Sequence, residues 1–133
     1  MSSTKPKIIR VTTVPLSLEI LLTGQMKFMA ENGFDVIMVS SEGKEWKNLL
    51  ATETPKHYKV CIAKKINILN DLKAVWQLYK IIKNEKPNIV HSHTPKAGLV
   101  AMMASYFAGT KIRLHTNSGT PLLTAAGIKR KVY

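Results

Sequence analysis

The strongest constraint on the fold of this chain is an alternation of short β-branched runs with amphipathic stretches of helical period. It is clearest in residues 87–120, PNIVHSHTPKAGLVAMMASYFAGTKIRLHTNSGT, which predict a strand, a polar turn, an apolar helix, a second strand and a second polar turn. Strands joined through helices run parallel, so their carboxyl ends share one edge of a sheet. Both strands end in a His-Thr pair, at His93–Thr94 and His115–Thr116. We therefore expect the two turns to be neighbours in a candidate site.

The same alternation extends over the rest of the chain and predicts an α/β fold with a Rossmann-like, doubly wound parallel sheet. The turns at 14–17, 40–44, 93–98 and 116–127 should then line the crevice at the carboxyl ends of the strands. The predicted strands are 8–12, 36–39, 58–63, 88–92 and 111–115. The first predicted helix starts at Leu18, is capped by Ser17 and stops at Asn32–Gly33, and a short helix at 43–54 turns Trp46, Leu49 and Leu50 inward. Further helices are predicted at 97–108, at 128–133, where one begins, and at 68–84, whose apolar period is Leu69, Leu72, Val75, Trp76, Tyr79 and Ile82.

Length and composition fit one globular domain. The 133 residues are 45% apolar and 21% charged, and no apolar run approaches the roughly 18 to 20 residues that span a bilayer. The amino terminus lacks the apolar core of a secretory signal, which predicts a cytoplasmic protein. The single cysteine, Cys61, lies in an apolar run and is predicted to be a small buried thiol.

Charge is the unusual part of the composition, with 20 Lys and Arg against 8 Asp and Glu for a net +12. Anionic lipid, nucleic acid and phosphorylated ligands are all possible partners of such a chain. The basic residues are spread out and cluster only at Lys129, Arg130 and Lys131. That spread predicts a general electrostatic field rather than a surface that reads nucleic-acid sequence.

The first polar turn has two interpretations. His91 and His93 share a face of one strand, but no carboxylate lies nearby to complete a metal site, so we expect no bound metal. His91 is expected to be a hydrogen-bonded core histidine, and His93 to be exposed to the crevice. Thr94 and Lys96 open a helix, where they form an anion site with the free N–H groups, or else Thr94 caps the helix and Lys96 is solvated.

The second polar turn follows His115 with the donor-rich run Thr116-Asn117-Ser118-Gly119-Thr120. A histidine here can position or deprotonate a sugar hydroxyl, or donate to a developing charge on a phosphate. The alternative is a strand-end histidine capped by its own turn. The chain has no GxGxxG, GxxxxGK[ST] or GxSxG motif, which argues against nicotinamide-dinucleotide enzymes, P-loop NTPases and α/β-hydrolases.

Three segments together resemble a known family: residues 11–41 (VTTVPLSLEILLTGQMKFMAENGFDVIMVSS), 71–105 (DLKAVWQLYKIIKNEKPNIVHSHTPKAGLVAMMAS) and 112–121 (IRLHTNSGTP). They are similar to the N-terminal half of family 4 glycosyltransferases of the GT-B fold, particularly the bacterial capsule, exopolysaccharide and lipid-linked-oligosaccharide enzymes. The resemblance implies two Rossmann-like domains facing a cleft. Residues 1–133 would be the acceptor-binding N-terminal domain in truncated form, and the donor-binding domain with its E-x7-E motif would be absent.

The resemblance also implies roles for individual residues. His115 falls on the histidine expected near the reaction centre, and Pro15, Leu16 and Ser17 replace a Gly-Gly pair that often contacts the donor diphosphate in this family. Transfer would retain anomeric configuration, use a UDP-linked nucleotide sugar, and need no cofactor or bound metal. The residues expected on the acceptor side are Pro15, Leu16, Ser17, His93, Thr94, Lys96, Thr116, Ser118 and Gly119.

The expected partners are a nucleotide-sugar donor, a lipid-linked saccharide acceptor and an anionic membrane surface, with no nucleic acid. The basic cluster Lys129, Arg130 and Lys131 is the predicted membrane contact, at the inner face of the plasma membrane, and a solvated basic face is its alternative. Two other functions remain open: a non-catalytic binding subunit of a split transferase, and a sugar-nucleotide epimerase domain of similar shape. We expect the 133-residue chain to be inactive as a transferase on its own.

Overall fold

The computed structural model describes residues 5–52, 56–63, 65 and 67–116. Within them five parallel strands form one sheet with helices on both faces, which confirms the predicted fold class. The elements are β1 (Lys7–Val11), α1 (Pro15–Leu21), α2 (Gln25–Glu31), β2 (Asp35–Ser40), α3 (Trp46–Thr52), β3 (Lys56–Lys59), α4 (Ile68–Glu85), β4 (Ile89–Ser92), α5 (Pro95–Ala108) and β5 (Ile112–His115).

The strand order is β3-β2-β1-β4-β5, so the chain moves outward from β1 to β3 and then crosses back to β4 on the other side of β1. The order therefore reverses between β1 and β4, where the loops that follow the two strands diverge and leave a crevice. Register places Arg10 beside His91 across this junction, and Ser92 beside His115 on the next pair of strands.

Each face of the sheet buries its own apolar cluster. One contains Ile9, Val11 and Val39 and packs against α4 and α5, and the other contains Ile8, Val36 and Met38 and packs against α1, α2 and α3. Strands covered on both faces have no solvated side, which is why β1 and β2 are nearly continuous apolar runs.

The predicted first helix is two helices. Pro15, not Ser17, begins α1, and Val14 occupies the N-cap position without a side-chain hydrogen bond. Proline suits a first helical position because it has no N–H to leave unpaired, and Ser17 falls inside the first turn. Gly24, with a φ of 75°, then breaks the helical path before α2. The predictions of a Ser17 cap and a single helix were wrong.

The strand predicted at 58–63 is Lys56–Lys59, and the chain continues past it with an alternating burial pattern. Val60 and Ile62 are buried while Cys61, between them, is exposed. The prediction of a buried thiol was wrong because apolar neighbours on both sides do not determine which way an alternating position points.

The helix α4 matches its predicted span within one residue, and its buried face coincides only in part with the predicted apolar period, since Ile82 is buried and Val75 and Tyr79 pack against the core. Ala74, Leu78 and Ile82 face the core, while Leu69 and Trp76 are 81% and 57% exposed. The helix carries two apolar stripes, and helical period alone does not say which one the sheet covers. Leu50 in α3 is likewise exposed instead of inward, whereas Trp46 and Leu49 are buried as predicted.

Substituting one leucine from each stripe of α4 tests this assignment. Leu78→Ala should lower the free energy of unfolding by about 2–5 kcal/mol because it leaves a cavity in the core. Leu72→Ala removes the same atoms from a side chain that is 55% exposed and should cost less than about 1 kcal/mol. Urea denaturation followed by circular dichroism measures both values, and equal losses would contradict the assignment.

Candidate functional site

The loops that follow β1 and β4 are tied together by two threonines. The Thr13 N–H donates to Thr94 Oγ1 at 2.9 Å, and the two hydroxyl oxygens lie 2.7 Å apart. The Ala97 N–H of α5 also donates to Thr13 Oγ1, at 3.3 Å. Thr94 occupies the N-cap position of α5 but makes no side-chain bond to that helix. The first turn of α5 is thus capped by Thr13 of the neighbouring loop rather than by Thr94.

The Lys96 side chain is bound by Asp71 of α4 and by the loop that precedes that helix. Its Nζ lies 2.7 Å from Asp71 Oδ2 and 3.0 Å from the Lys65 carbonyl oxygen, and the side chain is only 10% exposed. The expectation of a solvated Lys96 was therefore wrong. Its predicted role in binding an anionic ligand would require the ammonium to leave Asp71, and that role stays a prediction.

His93 is held beneath the crevice by Arg10. Both residues are buried, at 3% and 4% exposure, and the Arg10 Nε–H donates to His93 Nε2 at 3.1 Å. The guanidinium also contacts Gln25 Oε1 and Met29 Sδ of α2, each at 3.0 Å. Because a guanidinium only donates, Nε2 must carry the lone pair and the neutral ring must carry its proton on Nδ1. The structure thus assigns His93 as a neutral Nδ1–H donor.

His93 does not lie where it was predicted, and His91 is hydrogen-bonded as predicted but only half-buried. His93 was expected to be exposed and His91 to be in the core, but His93 is buried and His91 is half-buried, with Nε2 2.7 Å from Thr116 Oγ1. The rings are neighbours, with centroids 4.0 Å apart. Arg10 and the α2 side chains cover His93, whereas His91 lies on the β5 side. Among the described residues no three His, Cys, Asp or Glu side chains are grouped so as to hold a metal ion.

Burial and neighbouring positive groups disfavour protonation of this pair. The pKa of His93 is lowered to about 3, mainly by burial and then by the neighbouring His91, Arg10 and His115. Burial also lowers the pKa of His91, with smaller contributions from Arg10 and His115. The pKa of Arg10 is lowered by burial too, and no carboxylate in the described part of the chain pairs with its guanidinium.

His115 lies at the end of β5, on the face of the sheet covered by α5. Its Nδ1 is 2.8 Å from the hydroxyl oxygen of the buried Ser92, its register neighbour on β4. The ring rests against Gly98, where a Cβ would lie 2.5 Å from His115 Cε1 and 2.7 Å from Nδ1. Glycine at 98 and serine at 92 therefore fix the ring, and the residue as a whole is exposed.

The two His-Thr turns are adjacent in the sheet, as predicted, but their histidines point to opposite faces. His93 contacts Arg10 on the α2 side, and His115 contacts Gly98 of α5 on the other side. A single ligand would contact both only by passing over the strand ends. Thr116, which follows His115 at the end of β5, is held by His91.

The first turn of α1 forms the opposite wall of the crevice. Leu16 is 44% exposed, and the Ser17 N–H is used by the Val14 carbonyl oxygen at 3.0 Å. Pro15 packs against Gly43 so closely that a Cβ there would lie 2.5 Å from Pro15 Cγ. The other predicted site positions, Ser118, Gly119, Lys129, Arg130 and Lys131, lie outside the described residues.

Sequence reasoning missed four residues that build the site, namely Arg10, Thr13, Ser92 and Gly98. One signal was available: Arg10 interrupts the apolar strand Lys7–Val11, and an arginine buried within a strand needs a polar partner. The roles of Ser92 and Gly98 depend on the pairing of β4 with β5 and had no comparable signal.

This fold is shared with solved structures of a glycosyltransferase and of an epimerase. A glycosyltransferase from Rickettsia africae superposes with a TM-score of 0.72 at 21% identity, over 89% of this chain and 31% of that one. A putative UDP-N-acetylglucosamine 2-epimerase from Listeria monocytogenes superposes with a TM-score of 0.65 at 17% identity, over 92% of this chain and 33% of that one. At these identities the likeness shows the fold alone.

Sequence comparison defines the family. The glycosyl transferase 4-like model matches residues 10–131, and the chain belongs to that family. A capsular polysaccharide biosynthesis glycosyltransferase of Staphylococcus aureus is 35% identical over 92% of this chain and 31% of its own length. An Escherichia coli UDP-Gal:α-D-GlcNAc-diphosphoundecaprenol α-1,3-galactosyltransferase is 28% identical over 86% of this chain and 30% of its own. The chain thus spans about a third of the length of these relatives, and the predicted family resemblance is confirmed.

The depressed pKa of His93 predicts a loss of stability in acid. An unfolded histidine titrates near 6.5, so below that pH the unfolded state binds a proton that folded His93 refuses down to about 3. Stability should fall as pH drops through this window, with His93 accounting for about 2 kcal/mol at pH 5 relative to pH 8. His93→Gln keeps an acceptor for Arg10 and should flatten the dependence. Urea unfolding from pH 8 to 4 measures it; His57→Gln is the control and should keep the full slope.

Gly98→Ala should displace the His115 ring. Alanine favours a helix over glycine by about 1 kcal/mol, but here its Cβ would overlap the imidazole. The ring must turn away and lose its contact with Ser92. Long-range ¹H–¹⁵N NMR should show altered His115 shifts in this variant and unchanged shifts in Leu99→Ala, an exposed neighbour on α5. Native His115 shifts in a folded Gly98→Ala protein would refute the packing.

Proposed function

We propose that this chain is the acceptor-binding part of a retaining glycosyltransferase that moves a sugar from a nucleotide sugar to a lipid-linked saccharide during surface-polysaccharide synthesis. Family membership supports the transferase class, and two relatives carry names from capsular polysaccharide and diphosphoundecaprenol-linked synthesis. The observation that carries the proposal is the exposed His115, held by Ser92 and Gly98 at the edge where the crevice opens.

The geometry of His115 suits a role at the sugar or its phosphate. Nδ1 is engaged by Ser92, so Nε2 is the ring nitrogen that remains for a ligand. If Ser92 donates to Nδ1, then Nε2–H is a donor for a phosphate oxygen or a sugar hydroxyl. If Nδ1–H donates to Ser92, then Nε2 accepts a proton from a hydroxyl. In both tautomers Ser92 and Gly98 orient the ring before the ligand arrives, which lowers the cost of reaching the productive geometry.

His93 supports the acceptor side of this proposal in a different way. A histidine that stays neutral cannot serve as a general acid near pH 7, but its Nδ1–H remains a donor for a sugar hydroxyl or phosphate oxygen. The buried Arg10 behind it adds positive potential without contacting the ligand. The rest of the proposed acceptor side consists of Pro15, Leu16, Ser17, Thr94, Lys96, Thr116, Ser118 and Gly119.

The donor site belongs, in this proposal, to a second domain of the kind that the resemblance implies. This chain covers 31% of the Staphylococcus aureus relative, which leaves room for such a domain in a protein of that length. The donor would be a UDP-linked sugar, and the reaction would need neither cofactor nor bound metal. The 133-residue chain should then show no transfer by itself, and it would act at the inner face of the membrane. No helix among the described residues is long and apolar enough to cross a bilayer.

The decisive comparison replaces His115 in a protein that joins this chain to its donor-binding domain. His115→Ala should lower kcat for transfer to a polyprenyl-diphosphate saccharide by about 10²–10⁴-fold, because it removes a positioned proton donor or acceptor. His91→Ala should affect stability more than turnover, and His57→Ala, on β3, should change neither greatly. Transfer of radiolabelled sugar into an organic-extractable product measures the rates.

Two results would overturn the proposal. An unchanged kcat in His115→Ala would remove this residue from the reaction centre. Epimerised free nucleotide sugar without an acceptor would favour the epimerase alternative, whose solved representatives share this fold. If transfer instead requires a separately encoded donor-binding chain, the present chain is the binding subunit of a split transferase.

A further inference from the structure

The outer faces of α4 and α5 expose an unusual amount of apolar surface. Three clefts of about 230, 440 and 400 Å³ run along the two helices and share lining residues, so they form one continuous groove. Soluble proteins rarely expose contiguous apolar patches of such extent without a partner. We call this the α4–α5 surface and define it by the exposed side chains of Leu69, Leu72, Trp76, Leu99, Met103, Tyr106 and Phe107.

Aromatic rings and cations are paired across this surface. Lys80 Nζ lies 5.7 Å from the Trp76 ring centroid, and Arg113 Cζ lies 5.3 Å from that of Tyr106. Lys83 stands over Tyr79 in the same way, at 6.0 Å. Tryptophan and tyrosine beside basic side chains are the residues that proteins place at the boundary between hydrocarbon and lipid headgroups.

The charge around the α4–α5 surface has a single sign. Residues 67–116 contain two acidic side chains, and both form ion pairs: Asp71 with Lys96 at 2.7 Å and Glu85 with Lys56 at 3.0 Å. The cations of the same segment that are exposed are Lys73, Lys80, Lys83, Lys86, Lys111 and Arg113. An apolar patch on a segment whose exposed charged side chains are all cationic complements an anionic apolar boundary and opposes a second copy of itself.

The α4–α5 surface begins at the crevice. Both helices start at the carboxyl edge of the sheet, and the cleft at that end is lined by Ile68, Leu72 and Leu99 around Asp71, the partner of Lys96. His115 rests on Gly98, one residue before Leu99. A flat apolar partner on this surface would therefore border the candidate site.

We propose that the α4–α5 surface docks on an anionic lipid bilayer, with Trp76 and Phe107 inserted at the headgroup boundary and the surrounding lysines and arginine over the headgroups. The proposal rests on the function proposed above in that a lipid-linked acceptor is presented at such a surface. It adds a site to the predicted contact at Lys129, Arg130 and Lys131, which stays a prediction because those residues lie outside the described part of the chain.

Vesicle flotation and tryptophan fluorescence test the docking directly. The chain has two tryptophans, and Trp46 is buried at 3% exposure, so Trp46→Phe leaves Trp76 as the only reporter. Vesicles of phosphatidylcholine with phosphatidylglycerol should bind the protein and shift Trp76 emission to shorter wavelength. Vesicles of phosphatidylcholine alone should bind far less, and raising the salt to about 1 M should weaken binding because it shortens the screening length to roughly 3 Å.

A matched pair of double variants distinguishes binding through the α4–α5 surface from non-specific binding by any exposed apolar side chain. Trp76→Ser with Phe107→Ser should lower the partition coefficient for anionic vesicles by roughly tenfold or more. Ile20→Ser with Phe28→Ser removes two side chains, each 66% exposed, from the helices on the opposite face of the sheet, and it should bind like the wild type. Thermal unfolding establishes that both variants are folded.

Several outcomes would overturn the docking proposal. These are equal binding by the two double variants, no blue shift of Trp76, or a wild-type dimer that Trp76→Ser with Phe107→Ser converts to monomer. The last result would make a second copy the occupant. Failure here is distinguishable from failure of the proposed function, because transfer to a detergent-solubilised acceptor depends on His115 and not on vesicle binding.

Discussion

The pairing of β1 with β4 is the contact on which the rest of the structure depends. It joins two strands that are far apart in sequence, and the strand order reverses at this junction. Each loop at the carboxyl edge of the sheet is then held by a residue from the adjoining strand or its loop: Thr94 by Thr13, His93 by Arg10, and His115 by Ser92. The crevice is therefore a product of register, and a slip of one residue would turn each of these side chains to the other face.

Burial of the charged Arg10 guanidinium carries a large desolvation cost. No carboxylate in residues 5–52, 56–63, 65 and 67–116 pairs with this buried guanidinium, so its donors need neutral acceptors, which are His93, Gln25 and Met29. A carboxylate in place of His93 would neutralise the charge and remove the positive potential beneath the crevice. The neutral histidine leaves the Arg10 charge and its positive potential in place, and the protein loses stability in acid as a result. This exchange is intelligible if the loops above bind an anionic ligand, as a diphosphate-linked substrate would be.

Much of the fold follows from local pattern, and much of the site does not. The order and type of the elements could be predicted because alternation and helical period are local properties, and α4 and β4 fall within one residue of their expected bounds. The buried face of α4 could not, since two apolar stripes compete and the choice depends on packing against α5. The burial of His93 was unpredictable for the same reason, because its partner Arg10 lies 83 positions earlier.

His93 and His115 lie on opposite faces of the sheet, so the two faces of the domain differ in the groups that they present. His93 and Arg10 lie on the α2 side, while His115 shares the other face with α5 and hence with the α4–α5 surface. If a bilayer covers that surface, His115 lies on the lipid side of the sheet, and His93 is reached only over the strand ends. A diphosphate at the headgroup level would then meet His115 first, while the sugars that extend from it would lie along the loops above His93. The same sheet that buries two apolar cores would in this way orient the acceptor from the membrane towards the crevice.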